Sequence, residues 1–179
     1  MLYFQSEFIE KPIIARDDTK ALARVQSIII DHENGKILGV HAGKNVIAFQ
    51  DILTWKPKIE IMNGSVQMLP EDIVRIQKVL DSGIKIMGNT VKTEKNQYIG
   101  KVVDCIIDIQ KGILSSLYVA KNAILFPYDK RIIPATQIVE IRKDAIIVCE
   151  QILMKKIMLK DLITRAGKLR SADTCLGNL

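Results

Sequence analysis

Histidine occurs twice and cysteine three times in the 179 residues, too few and too scattered for a zinc module or a disulfide framework. Cys105, Cys149 and Cys175 form no C-x-x-C pair, so reduced thiols and a cytoplasmic setting are expected. His32 and His41 have no convincing ligand at metal-binding spacing, and neither a metal nor any other cofactor is expected. Aromatic residues make up only 5%, which leaves the core to aliphatic side chains and argues against a stacking platform for single-stranded RNA. No apolar run reaches the roughly 18–20 residues that cross a bilayer. The N-terminus shows no basic flank, long apolar stretch or small-residue cleavage site, so no secretory leader is expected. A Gly-rich phosphate loop, H-E-x-x-H and G-x-S-x-G are all missing. The adjacent acids Asp17 and Asp18 read as a surface turn rather than an acid–base pair. No catalytic residue is assigned, and the chain is not expected to be an enzyme.

What is there is aliphatic and charged: 48% hydrophobic and 26% charged residues, enough for one ordinary domain or two small ones. The net charge of +6 is uneven. Residues 1–83 carry 10 basic and 11 acidic groups, residues 84–150 carry 10 and 7, and residues 151–179 carry 6 and 2. The basic excess therefore belongs to the second half and the tail, where it could draw an anionic partner or simply be solvated.

A stretch occurs twice. Leu22-Ala-Arg-Val-Gln-Ser-Ile-Ile-Ile-Asp31 with Gly35 returns as Ile99-Gly-Lys-Val-Val-Asp-Cys-Ile-Ile-Asp108 with Gly112, at an offset of 77. Each copy reads as a β-branched strand closed by an Asp-x-x-x-Gly hairpin turn, with Asn34-Gly35 suited to positive φ. Asp31 and Glu33 lack the remaining ligands of a calcium loop, so the turn reading is preferred. Short strands follow at Lys11–Arg16, Ala21–Ile30, Lys36–Val40, Val46–Phe49 and Ile59–Met62, and Val91 aligns with Ile14. The spacing predicts a helix over 70–83, with Pro70 and two acids at its start, Gly83 at its end, and Ile73, Ile76, Val79 and Leu80 on one face. Met1-Leu-Tyr-Phe-Gln-Ser6 resembles part of a protease-cleavage site and carries no weight in the expected fold.

Beyond Gly112 the copies diverge. Ile47-Ala-Phe-Gln-Asp-Ile52 matches Ile133-Pro-Ala-Thr-Gln-Ile138 at an offset of 86, so the second copy holds nine extra residues. They lie within Tyr118–Arg131, where Tyr118, Ile124, Leu125, Phe126 and Tyr128 are rimmed by Lys130 and Arg131. Such an apolar loop with a basic rim is either a partner-binding surface or a longer hairpin covering its own barrel end. From Met158 the pattern is helical, with Met158, Leu159, Leu162, Ile163, Ala166 and Leu169 on one face. Lys160, Arg165 and Lys168 lie on the other. This basic amphipathic helix either docks on the second barrel or meets an anionic membrane surface, RNA or a partner groove. Residues after Arg170 are expected to be disordered.

These features together resemble the PRC-barrel family, and in particular bacterial proteins with two such barrels in tandem. The carrying residues are Phe8-Ile-Glu-Lys-Pro-Ile-Ile14, Ala23-Arg24-Val25, Gly100-Lys101-Val102, the two Asp-x-x-x-Gly turns, and Arg131-Ile-Ile-Pro-Ala-Thr-Gln-Ile138 leading into Ala145–Val148. Ala23 stands where the family commonly has Gly. The resemblance implies a mainly β fold of two small antiparallel SH3-like β-barrels in tandem, residues 1–69 and 84–150. A linker helix, 70–83, joins them, and a basic helix and tail follow over 151–179. Relatives include the cytoplasmic domain of the photosynthetic reaction-centre H subunit and the C-terminal domain of a ribosome-maturation factor. The family shares no catalytic residue, so the expected function is protein binding or scaffolding. RNA or ribosome association, membrane-surface association through the tail, and homo-oligomerisation stand as alternatives. With no H-subunit-like anchor in view, membership of a reaction centre is not expected.

Overall fold

A computed structural model of the chain describes residues 1–16, 18–123 and 126–150, with side chains for all of these except 122, 123 and 126–129. Among them the protein is mainly β, with a single α-helix. β1 (Leu2–Phe4) comes first, and the first half continues with β2 (Pro12–Ala15), β3 (Ala21–Arg24), β4 (Ser27–Ile30), β5 (Ile37–Ala42), β6 (Asn45–Ala48), β7 (Ile52–Thr54) and β8 (Ile59–Ile61). Helix α1 (Val74–Asp81) leads to β9 (Thr90–Thr93), β10 (Tyr98–Asp108), β11 (Ile113–Ala123), β12 (Phe126–Pro134), β13 (Ile138–Ile141) and β14 (Ile146–Val148).

The halves follow one plan. In each, three strands run as an antiparallel meander, and the first strand also pairs in parallel with the last: β2 with β8, and β9 with β14. Ile13 lies opposite Ile59 and Val91 opposite Ile146, all four fully buried. Val91 thus takes the place of Ile13 rather than Ile14. The loop after β2, residues 16–20, is one residue longer than its counterpart at 94–97, which shifts the alignment by one before the repeat settles at 77.

Three expectations are revised. The Ala21–Ile30 run is two strands, because it changes partner at Val25. Val25 exchanges hydrogen bonds with Lys11 and Glu10 on the β2 side, whereas the Gln26 N–H already bonds His41 O on the β5 side. The first half is therefore split into the sheets β3-β2-β8-β7 and β4-β5-β6, while the second keeps one sheet, β12-β11-β10-β9-β14-β13. None of these sheets closes on itself. A 3-10 turn at Phe49–Asp51, and its counterpart at Ala135–Gln137, carries the chain off one sheet edge to β7 or β13 instead of continuing the ladder. The linker also starts later than its Pro suggests. Pro70–Asp72 is a separate 3-10 turn capped by the Asp72 carboxylate on Leu69 N–H, and extended backbone at Ile73 divides it from α1. Gly83 ends the helix at φ 64°, as expected.

Packing joins the halves. One contiguous cluster of buried, mostly aliphatic side chains runs from Phe8 and Ile13 through Ile47 and Ile107 to Ile146. Each fully buried Ile contributes roughly 1.5–3 kcal/mol relative to exposure. The repeated turns meet at the seam: Ile37 N–H donates to Gly112 O and Leu114 N–H to Gly35 O, both at 2.8 Å, around the bridge Lys36–Ile113. Each residue here pairs with the counterpart of its partner at an offset of 77, so the join has local two-fold symmetry. Gly35 and Gly112 hold φ of 71° and 64°, which side chains resist. The scarce aromatic residues gather nearby, with Tyr3 edge-on to Phe8, Phe8 edge-on to Trp55, and Phe49 tilted on Trp55.

Residues 1–6, given no weight above, are built into the fold. β1 pairs with β10, and Ser6 donates through N–H and Oγ to the buried Asp104 carboxylate. Helix α1, by contrast, belongs to the first half. Ile76 and Val79 pack on Ile29 and Val46. Arg75 donates through Nε and Nη2 to Asp31 Oδ2 at 2.9 and 2.5 Å, and Glu33 takes Arg75 and Lys78. Asp31 Oδ1 also accepts the Glu33 N–H, which explains its place in the turn. Burial of Asp31 opposes its ionisation, but the hydrogen bonds from Arg75 and the Glu33 amide outweigh that and hold its carboxyl below the usual range.

Two outcomes follow. A Cβ on Gly100 would lie 2.6 Å from Ala120 O, so Gly100→Ala is expected to destabilise by about 1–3 kcal/mol in urea unfolding. Ala23→Gly, at the equivalent site on β3, which pairs with β2 but has no counterpart of β11 on its other side among the described residues, should cost only about 0.5–1 kcal/mol. Because the Asp31 carboxyl titrates below its unfolded value near 3.9, its contribution is full above about pH 4 and is lost as the pH falls through the folded value. The melting-temperature gap between wild type and Arg75→Met should accordingly be widest at pH 5–7 and shrink below about pH 4.

Candidate functional site

The hairpins β5–β6 and β11–β12 start alike and end differently. Ala42 pairs with Asn45 in the first half, and Val119 pairs with Arg131 at the equivalent position in the second. The first hairpin then turns through Gly43-Lys44. The second runs on through Ala120–Lys130 and Lys121–Asp129, bulges, and continues with Asn122–Pro127 and Ala123–Phe126. Eleven residues stand where two suffice, so the nine-residue difference is a longer ladder rather than an apolar loop. β12 is the outer strand of its sheet. Length on one side imposes a constraint on the other: with Ala120 lying across β10, only Gly fits at 100, whereas Ala23 is free of this pressure.

Tyr118 stands at the root of this hairpin, half-buried and edge-on to Phe4 with ring centroids 5.9 Å apart. Lys130 is exposed on β12, Arg131 half-buried beside it, and the backbones of Phe126 and Tyr128 belong to the same strand. Lys121 Nζ approaches the Tyr98 ring, 5.7 Å from its centroid. Ile124 and Leu125, and with them Lys160, Arg165 and Lys168 of the tail, lie outside the described residues. The hairpin thus brings together five of the residues proposed from sequence.

Residues 84–150 match the PRC-barrel domain. The matched span takes in β9 to β14, so the long hairpin lies inside it. A comparison with the curated proteins finds no match for the chain.

Several polar groups singled out in the sequence have structural partners. Asp18 Oδ1 accepts the Thr19 and Lys20 amides, as a turn residue does, and Asp17 lies outside the described residues. His41 Nδ1 pairs with Gln26 Oε1, and Asp108 Oδ1 accepts the Gln110 and Lys111 amides. No group of three or more His, Cys, Asp or Glu among the described residues could hold a metal. Burial, followed by the nearby Asp104 charge, pushes the Cys105 thiol up to about 12.

The sequence reading missed a second feature. A groove of about 860 Å³ runs along the seam, walled by the 32–35 turn on one side and by Ala135, Thr136 and Ile138–Ile141 on the other. Ile113–Ser115 and Ile84 complete it. His32 Nδ1 is buried there without a hydrogen-bond partner among the described residues. Neither wall carries a motif. The one usable signal was the 77-residue repeat, which makes the two turns equivalent but does not say that they touch. In a native labelling experiment at pH 8, Cys105 should resist iodoacetamide and react only on unfolding, as read by mass spectrometry. Labelling at the rate of a free thiol would contradict its burial.

Proposed function

We propose that this chain is a non-catalytic protein-binding module that takes its partner on the β11–β12 hairpin. The observation that carries this reading is the extension of that ladder past Val119–Arg131, with β12 as the end strand of its sheet among the described residues, beside Tyr118 and Lys130. A two-residue turn closes the same hairpin in the first half, so the extra length is not needed to complete the unit. An edge strand of this kind takes another chain through backbone hydrogen bonds, with side chains adding selectivity. The partner is another protein or a second copy of this one.

In this reading residues 1–69 are a diverged second PRC-barrel unit, the two units stand in tandem with 70–83 as linker, and the protein works in the bacterial cytoplasm. Support comes from the shared strand order, the parallel pairs β2–β8 and β9–β14, and the repeat at 77. The kinship proposed on sequence, with the reaction-centre H subunit and a ribosome-maturation factor, fits a binding role.

Charge favours a second reading. The basic excess of residues 84–179 suits RNA or a ribosomal surface, and the tail suits an anionic membrane. Replacing residues 120–130 with Gly-Lys, as in the first hairpin, should preserve folding while abolishing capture of protein partners in a pull-down. Retention of every partner would sink the hairpin's role. Binding that survives the replacement but falls by orders of magnitude between about 50 and 200 mM salt would favour RNA instead.

A further inference from the structure

The groove along the seam lies beside the point where the described chain ends. Cys149 N–H donates to Gln137 O at 3.0 Å, and Thr136 and Ile138, on either side of Gln137, line the groove. Seven residues, 151–157, separate Glu150 from Met158, and the eight steps between those two span up to about 26 Å when extended. We propose that the groove seats the chain's own C-terminal segment, residues 158–169, as an amphipathic helix. This holds whichever partner the β11–β12 hairpin takes.

Three properties of the groove fit that occupant. Its lining includes two carboxylates, Glu33 and Glu140, and no Lys or Arg. The tail carries 6 basic and 2 acidic groups over 151–179. Arg75 and Lys78 already pair with Glu33, and Arg142 with Glu140, so the added attraction is modest and the fit is chiefly apolar. Val139 is 55% exposed, with half-buried Ile84 and Ile138 also lining the groove. The stripe Met158, Leu159, Leu162, Ile163, Ala166 and Leu169 supplies apolar cover for that wall. Isolated helices shorter than about 12–15 residues are marginal in water, so a segment of this length needs a surface to fold on. An occupant of the groove would also cover His32 Nδ1, a buried polar atom with no hydrogen-bond partner among the described residues.

Amide hydrogen exchange of the full-length protein, read by mass spectrometry, tests this. Leu162→Asp with Ile163→Asp should speed exchange at 32–36, 113–116 and 135–141 by at least about threefold while leaving 12–24 unchanged. Val139→Glu, at a site exposed enough for the fold to tolerate a charge, should strip protection from 158–169. The proposal is overturned if residues 158–169 exchange as an unfolded chain in the wild type, or if neither variant moves the opposite surface. It is equally overturned if 158–169 become protected only when phosphatidylglycerol vesicles are added, since the occupant is then a membrane.

Discussion

Two hydrogen bonds, Ile37 N–H to Gly112 O and Leu114 N–H to Gly35 O, set the arrangement of everything else. They place equivalent turns back to back, in the self-complementary manner of a two-fold dimer interface. In a dimer, association would carry a loss of translational freedom. Here the covalent link through residues 70–83 removes most of that cost, and a short join suffices. Once the turns abut, the apolar faces of both halves merge into one cluster and the groove forms beside them. The Gly at each turn is needed for its positive φ, and at 112 also because a Cβ would press on the Phe49 ring at 3.0 Å.

The symmetry is broken where the halves take up different work. α1 is tied by Arg75 and Lys78 to the 31–35 turn, and the matching second-half turn at 108–112 faces β1 instead. The first half has a short hairpin and a divided sheet. The second has a long hairpin, a continuous sheet, and Gly100 to let β11 pass. The long hairpin and Gly100 lie in the part that matches the PRC-barrel domain.

Features that depend on near neighbours were legible. The Asp-x-x-x-Gly turns, the stop at Gly83 and the nine-residue difference all follow from local chemistry or counting. The mainly β class was plain from runs such as Ser27–Ile30. What escaped depends on distant partners. Val25 looks like the middle of a strand until Lys11 and His41 are known to lie on opposite sides of the break. Ile73 is a local exception: it looks helical by spacing, yet the Asp72 cap on Leu69 ends the first turn before it. Ser6 carries no signal by itself; its role lies in Asp104, 98 residues away. Tyr118, Lys130 and Arg131 of the candidate site were found because an insertion is visible in a count. The groove was not, since its walls come from segments around residues 33, 84, 114 and 138 that share no pattern.

The placement of β1 has a consequence for synthesis. Leu2–Phe4 is made well before its partners, Ile106–Asp108, so about a hundred residues must be added before it can pair. At roughly 5–20 residues per second, that leaves the strand waiting for several seconds on the translating chain. The meander of the first half can form meanwhile, because its contacts are local. Completion of the seam and docking of β1 are then late events that require both halves, and a nascent chain stalled before residue 108 presents an open strand to any neighbouring copy.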